Sequence, residues 1–198
     1  EMALDALDAG AVDFIQKPTA LATEKIFEIS EELIEKVKAA AQVPVKRLMT
    51  DVPIPAKAAE VVFAPGEKNI GVVVIGTSTG GPQALKQVIP HLPPNFPVPV
   101  GIVLHMPVGY TEMYAQKLNE MSQLKVVEAR SGDIVEPGMV FLAPAGRHMR
   151  FVRNDDGLVV VHLDTRPFDL PHRPSVDVLF QSAAETYGNR VMGVVMTG

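Results

Sequence analysis

At 198 residues, 47% of them hydrophobic and 21% charged, the chain has the profile of a globular protein, with length for one to two domains and a real core. A formal net charge of −5 supplies no basic face for a duplex, so nucleic acid is not an expected partner. The chain has no cysteine, which excludes disulfides, thiolate metal sites and a cysteine nucleophile. No apolar run nears the roughly 20 residues of a membrane span and no signal peptide is visible, so membrane insertion is not expected and the cytoplasm is the expected location.

Residues 1–41 form a first block. Met2 to Ala9 predicts a helix stopped at Gly10, a good C-terminal cap. Ala11-Val12-Asp13-Phe14-Ile15 predicts a short strand ended by Lys17-Pro18. From Thr23, read as an N-cap, Ile26, Ile29, Leu33 and Val37 recur at helical spacing. Helix, strand and helix in this order fit the closing part of a parallel α/β sheet, and about forty residues cannot fold alone. Pro44, Pro53, Pro55 and Pro65 make residues 42–68 a semi-rigid linker.

The second block is residues 69–198. Ile70 to Ile75 is a continuous apolar run, as expected of a strand covered on both faces. A tight turn, Gly76 to Pro82, leads to a helix over Gln83–Ile89. A second buried strand, Val100–Leu104, ends at His105-Met106-Pro107. A helix over Tyr110–Met121 precedes strands at Lys125–Ala129, Val140–Ala143, His148–Val152 and Leu158–His162. Asn154-Asp155-Asp156-Gly157 joins the last two as a hairpin. After Pro167, Pro171 and Pro174, Ser175 caps a helix to about Tyr187, and Val191–Met196 is a final strand. The fold class is α/β: a mostly parallel, doubly wound sheet with helices on both faces and an antiparallel hairpin insertion. The chain opens at Glu1 inside a helical pattern and stops at Gly198 after an apolar strand, which reads as a fragment of a longer protein.

Gly76-Thr77-Ser78-Thr79-Gly80 fits G-x-S-x-G between a buried strand and a helix, the context that motif requires. A sharp turn needs small residues on either side, and it lifts one hydroxyl clear at the C-terminal edge of the sheet, where open α/β sheets bind ligands. The next helix points N–H groups of Thr79, Gly80 and Gly81 at the same place, suited to an oxyanion. The alternative is a phosphate-binding loop in a regulatory module without hydrolase activity. The turn is neither Walker A nor G-x-G-x-x-G.

A serine nucleophile needs a base. His105 ends the next buried strand, so adjacent strands bring its imidazole to Ser78. His172 lies in a loop able to reach the site. His91 reads as a partner at a helix C-terminus, and His148 and His162 as solvated strand residues. Metal-ligand spacing is absent, so no metal is expected. No Asp or Glu lies between Ser78 and His105, which disfavours the α/β-hydrolase order of nucleophile, acid, histidine. Asp133, Asp164 and Asp177 follow, none at a strand end aimed at the turn. The orienting acid is therefore expected beyond Gly198.

Several segments together resemble the catalytic domain of chemotaxis protein-glutamate methylesterases of the CheB type. They are Ile75 to Pro82, His105-Met106-Pro107, Gly132 to Gly138, Ala143-Pro144, His148-Met149, Arg173 to Phe180 and Met196-Thr197-Gly198. The resemblance implies Ser78 as nucleophile, His105 as base and a triad aspartate in a loop after Gly198. Leu104 departs from the family, where glutamine often precedes the histidine. It implies demethylation of glutamate methyl esters on methyl-accepting chemoreceptors, with deamidation of receptor glutamines in some members, and no cofactor in the catalytic domain. Residues 1–41 resemble the end of a response-regulator receiver domain, with Lys17 as the lysine that reaches the phosphoryl group. A complete receiver implies Mg2+ for phosphorylation and a chemotaxis histidine kinase as phosphodonor.

Overall fold

The computed structural model describes residues 2–17, 25–42 and 70–197. Its strands are β1 (Val72–Thr77), β2 (Val100–Leu104), β3 (Lys125–Glu128), β4 (Met139–Leu142), β5 (His148–Arg153), β6 (Val159–Asp164) and β7 (Val191–Val195). Its α-helices are α1 (Met2–Asp8), α2 (Lys25–Ala41), α3 (Gly81–Val88), α4 (Thr111–Glu120) and α5 (Val176–Tyr187). Five strands form one sheet in the order β3-β4-β2-β1-β7, every neighbouring pair parallel. β5 and β6 form a separate antiparallel hairpin.

Both faces of the sheet are covered, which is why β1 and β2 read as unbroken apolar runs. On one face Ile75, Ile102 and Leu104 pack under Leu85 of α3 and Tyr114 and Leu118 of α4, and Leu4 and Leu7 of α1 join this core. On the other, Val72, Val74 and Val103 meet Leu179 of α5 and Met149 and Phe151 of β5. Each fully buried side chain of this size contributes about 1.5–3 kcal/mol of transfer free energy. Alternation along β2 thus sends Ile102 to one core and Val103 to the other.

Several elements depart from the sequence reading. Residues 11–15 form no strand. Instead, Asp13 Oδ1 accepts the Phe14 N–H at 2.7 Å, and Lys36 Nζ donates to Phe14 O at 2.8 Å, satisfying backbone groups locally. The Phe14 ring lies 4.9 Å from that of Tyr110. β1 is shifted two residues onward, and α3 starts at Gly81 and runs into a short 3-10 turn at Ile89–His91. Ser175 is the N-cap of α5, yet its hydroxyl makes no cap bond. His148 is fully buried, not solvated, whereas His162 is exposed. The expected cap at Thr23 and the linker over 43–68 lie outside the described residues.

Candidate active site

Ser78 follows β1 directly, half-buried at the C-terminal edge of the sheet. Gly80 has φ 77°, left-handed backbone that an L side chain adopts only with strain. A Cβ at Gly76 would lie 2.4 Å from Val176 Cγ1. These two constraints account for both glycines of G-x-S-x-G. The turn is strapped from behind by the residue after Met196. Thr197 O accepts the Ser78 N–H at 2.7 Å and the Thr77 hydroxyl at 3.1 Å, and Thr197 Oγ1 donates to Thr79 O at 3.0 Å.

The expected oxyanion donors divide. Gly81 N–H is engaged with Ser78 O at 2.8 Å, so it is not available to a ligand. Thr79 and Gly80 N–H have no partner among the described residues, and both lie beside the serine.

Thr77 and Leu104 are register partners of β1 and β2, so the residues that follow them emerge side by side. His105 Nδ1 is 3.1 Å from Ser78 Oγ. His105 Nε2 is 3.1 Å from Pro174 O. A carbonyl only accepts, so Nε2 carries the proton and the Nδ1 lone pair faces the serine hydroxyl. His172 lies against the same ring, centroids 4.6 Å apart. Burial, and next the charge of His172, hold the His105 pKa below the ordinary value of 6.5, with Pro174 O opposing and Lys36 adding. The ring is therefore an unprotonated base at neutral pH.

No carboxylate hydrogen-bonds to His105 among the described residues. Asp133 accepts the Arg130 N–H at 2.8 Å, and Asp164 pairs with Arg150 at 3.5 Å. Asp177 is exposed in the first turn of α5. Ser78, Thr79 and His105 open onto a cleft of about 480 Å³, which Arg173 and His172 also line. Lys17 and, from α2, Glu32, Glu35 and Lys36 line the same cleft. Sequence reasoning named Lys17 but not the α2 residues, since their helical spacing says nothing about the surface they meet. The Arg173 guanidinium sits 5.3 Å over the Phe168 ring, and its Nε is buried with no partner among the described residues. The described residues hold no cluster of three His, Cys, Asp or Glu suited to a metal.

Known proteins resemble this chain in sequence and fold. A chain titled Thermotoga maritima CheB methylesterase catalytic domain superposes with a TM-score of 0.62 at 42% identity, over 65% of this chain and 67% of that one. A Myxococcus xanthus protein named protein-glutamate methylesterase/protein-glutamine glutaminase 5 is 44% identical over the whole chain. The Bacillus subtilis protein-glutamate methylesterase/protein-glutamine glutaminase is 37% identical, again over the whole chain. The chain spans 56% and 57% of the lengths of these two relatives. The CheB methylesterase family profile matches residues 73–198, the stretch from β1 onward that builds the serine turn, the histidine and the Pro174 loop. The chain belongs to the CheB methylesterase family.

Proposed function

We propose that this chain carries the nucleophile and base of a serine hydrolase acting on γ-glutamyl methyl esters of chemoreceptors. The observation that carries the reading is the Ser78–His105 pair at 3.1 Å, with the ring's other nitrogen fixed as a donor to Pro174 O. Ser78 Oγ attacks the ester carbonyl carbon while its proton passes to His105 Nδ1. The Thr79 and Gly80 N–H groups are the candidate donors to the resulting oxyanion. Collapse expels the methoxy group, which takes the proton from His105 and leaves as methanol. Water then attacks the acyl-enzyme, giving its proton to His105, and releases the glutamate carboxylate and free Ser78. With a glutamine substrate the same steps release ammonia. The names of the relatives support both substrates.

Residues 1–41 fit a receiver remnant by sequence, and α2 forms a wall of the cleft. That placement supports control of access by the N-terminal part. A fluorophosphonate tests the chemistry in the full-length protein. Covalent labelling at Ser78, lost in Ser78→Ala, is the expected result. Saturable phosphate binding without labelling supports an anion-binding module instead and overturns the hydrolase reading.

A further inference from the structure

One histidine outside the cleft is too well placed to be filler. His148 opens β5 and is 0% exposed. Its Nδ1 accepts the Ser175 N–H at 3.1 Å, and its Nε2 lies 3.1 Å from Pro167 O. The amide is always a donor and the carbonyl always an acceptor, so the tautomer is fixed as Nε2–H.

The Ser175 N–H and the Pro174 C=O belong to one peptide group. That group therefore receives the His105 Nε2–H on its oxygen and gives its own proton to His148. From Ser78 the donors run in one direction: hydroxyl to His105, His105 to Pro174 O, Ser175 N–H to His148, His148 to Pro167 O. Hydrogen bonds in such a series polarise one another. When the Ser78 proton reaches His105, the charged ring pulls harder on the Pro174 oxygen. The Ser175 N–H then becomes a better donor, and His148 answers it. We infer that His148 is a positioning residue for His105, acting through the Pro174–Ser175 peptide group. The inference rests on His105 being the base of Ser78.

If His148 only pins the 167–175 loop, losing either of its bonds is equivalent. If it holds the peptide group, only the Nδ1 acceptor matters to the rate. Asparagine places its Oδ1 near the Nδ1 position but does not reach Pro167 O. Glutamine reaches toward Pro167 O and lacks an acceptor at the Nδ1 position. In the full-length protein, His148→Gln should lower kcat for p-nitrophenyl acetate about tenfold, the rate equivalent of one hydrogen bond. KM should hold, and His148→Asn should restore most of the loss. Equal rates for the two variants, both normal or both impaired, overturn the inference.

Variants that fail to fold leave the wild type as arbiter. Phosphonylation of Ser78 charges His105, so it should move the Ser175 amide proton resonance downfield, and an unmoved resonance overturns the inference. Ser78→Ala separates the two layers. Undiminished turnover in that variant sinks the nucleophile reading itself, whereas a dead variant leaves the His148 comparison to stand or fall alone.

Discussion

Removing one oxygen at Ser78 tests the site most directly. Ser78→Ala should abolish ester hydrolysis, since losing a serine nucleophile costs on the order of 10⁶ in turnover. The half-buried hydroxyl gives up one hydrogen bond, to His105, so the melting temperature should move little, and a variant keeping a tenth of the rate would remove Ser78 as nucleophile. His172 offers a finer probe. Burial and the charge of His172 both hold His105 below 6.5. Taking that charge away in His172→Ala lets the His105 pKa rise, so the acid limb of kcat/KM should shift to higher pH. A limb that stays put, or moves down, would mean that His172 does not face the working base. Ser78 and His105 were legible because G-x-S-x-G fixes one and the end of a neighbouring apolar strand fixes the other. The peptide that orients His105 was not, because a backbone carbonyl has no signature in the sequence. His148 misled for a related reason: on a six-residue hairpin strand, the buried face follows from what the hairpin packs against.

At the scale of elements, the question is what α1 and α2 do on the catalytic face. α1 is tied down by Lys117, which pairs with Asp5 at 3.1 Å and Asp8 at 2.6 Å, and by Gln83, which donates to Leu7 O and, just past the helix, to Ala11 O at 3.1 Å. α2 stands over the cleft with Glu32, Glu35 and Lys36. Deleting residues 1–68 from the full-length protein should raise basal methanol release from methylated receptors, because it removes that wall. A lower rate would make the segment part of the working site. Strands β1 and β2 were readable because burial on two faces leaves an unbroken apolar run. The strand expected over 11–15 was not, because a strand exists only by pairing with another, and local propensity does not report the partner.

Taken whole, the molecule carries two histidines that resist protonation when folded. Burial depresses both His105 and His148, the latter against the pull of Pro167 O. A depressed histidine binds fewer protons folded than unfolded, so its contribution to stability is complete above about 6.5 and declines as pH falls below that value. The melting temperature should drop between about pH 7 and 5, and His148→Asn should flatten that slope. An unchanged slope would show that His148 does not resist protonation in the fold.

The strap on the serine turn also has a bearing on time. Thr197 holds Thr77 across 120 residues and Thr79 across 118. At ordinary rates of translation, those residues are separated by roughly 6–24 s on the ribosome. Throughout that interval the serine loop has emerged but lacks the carbonyl that fixes its amide and the strand that flanks it. A nascent chain thus presents Ser78 on an unstrapped turn, which takes its final shape only once the edge of the sheet has closed.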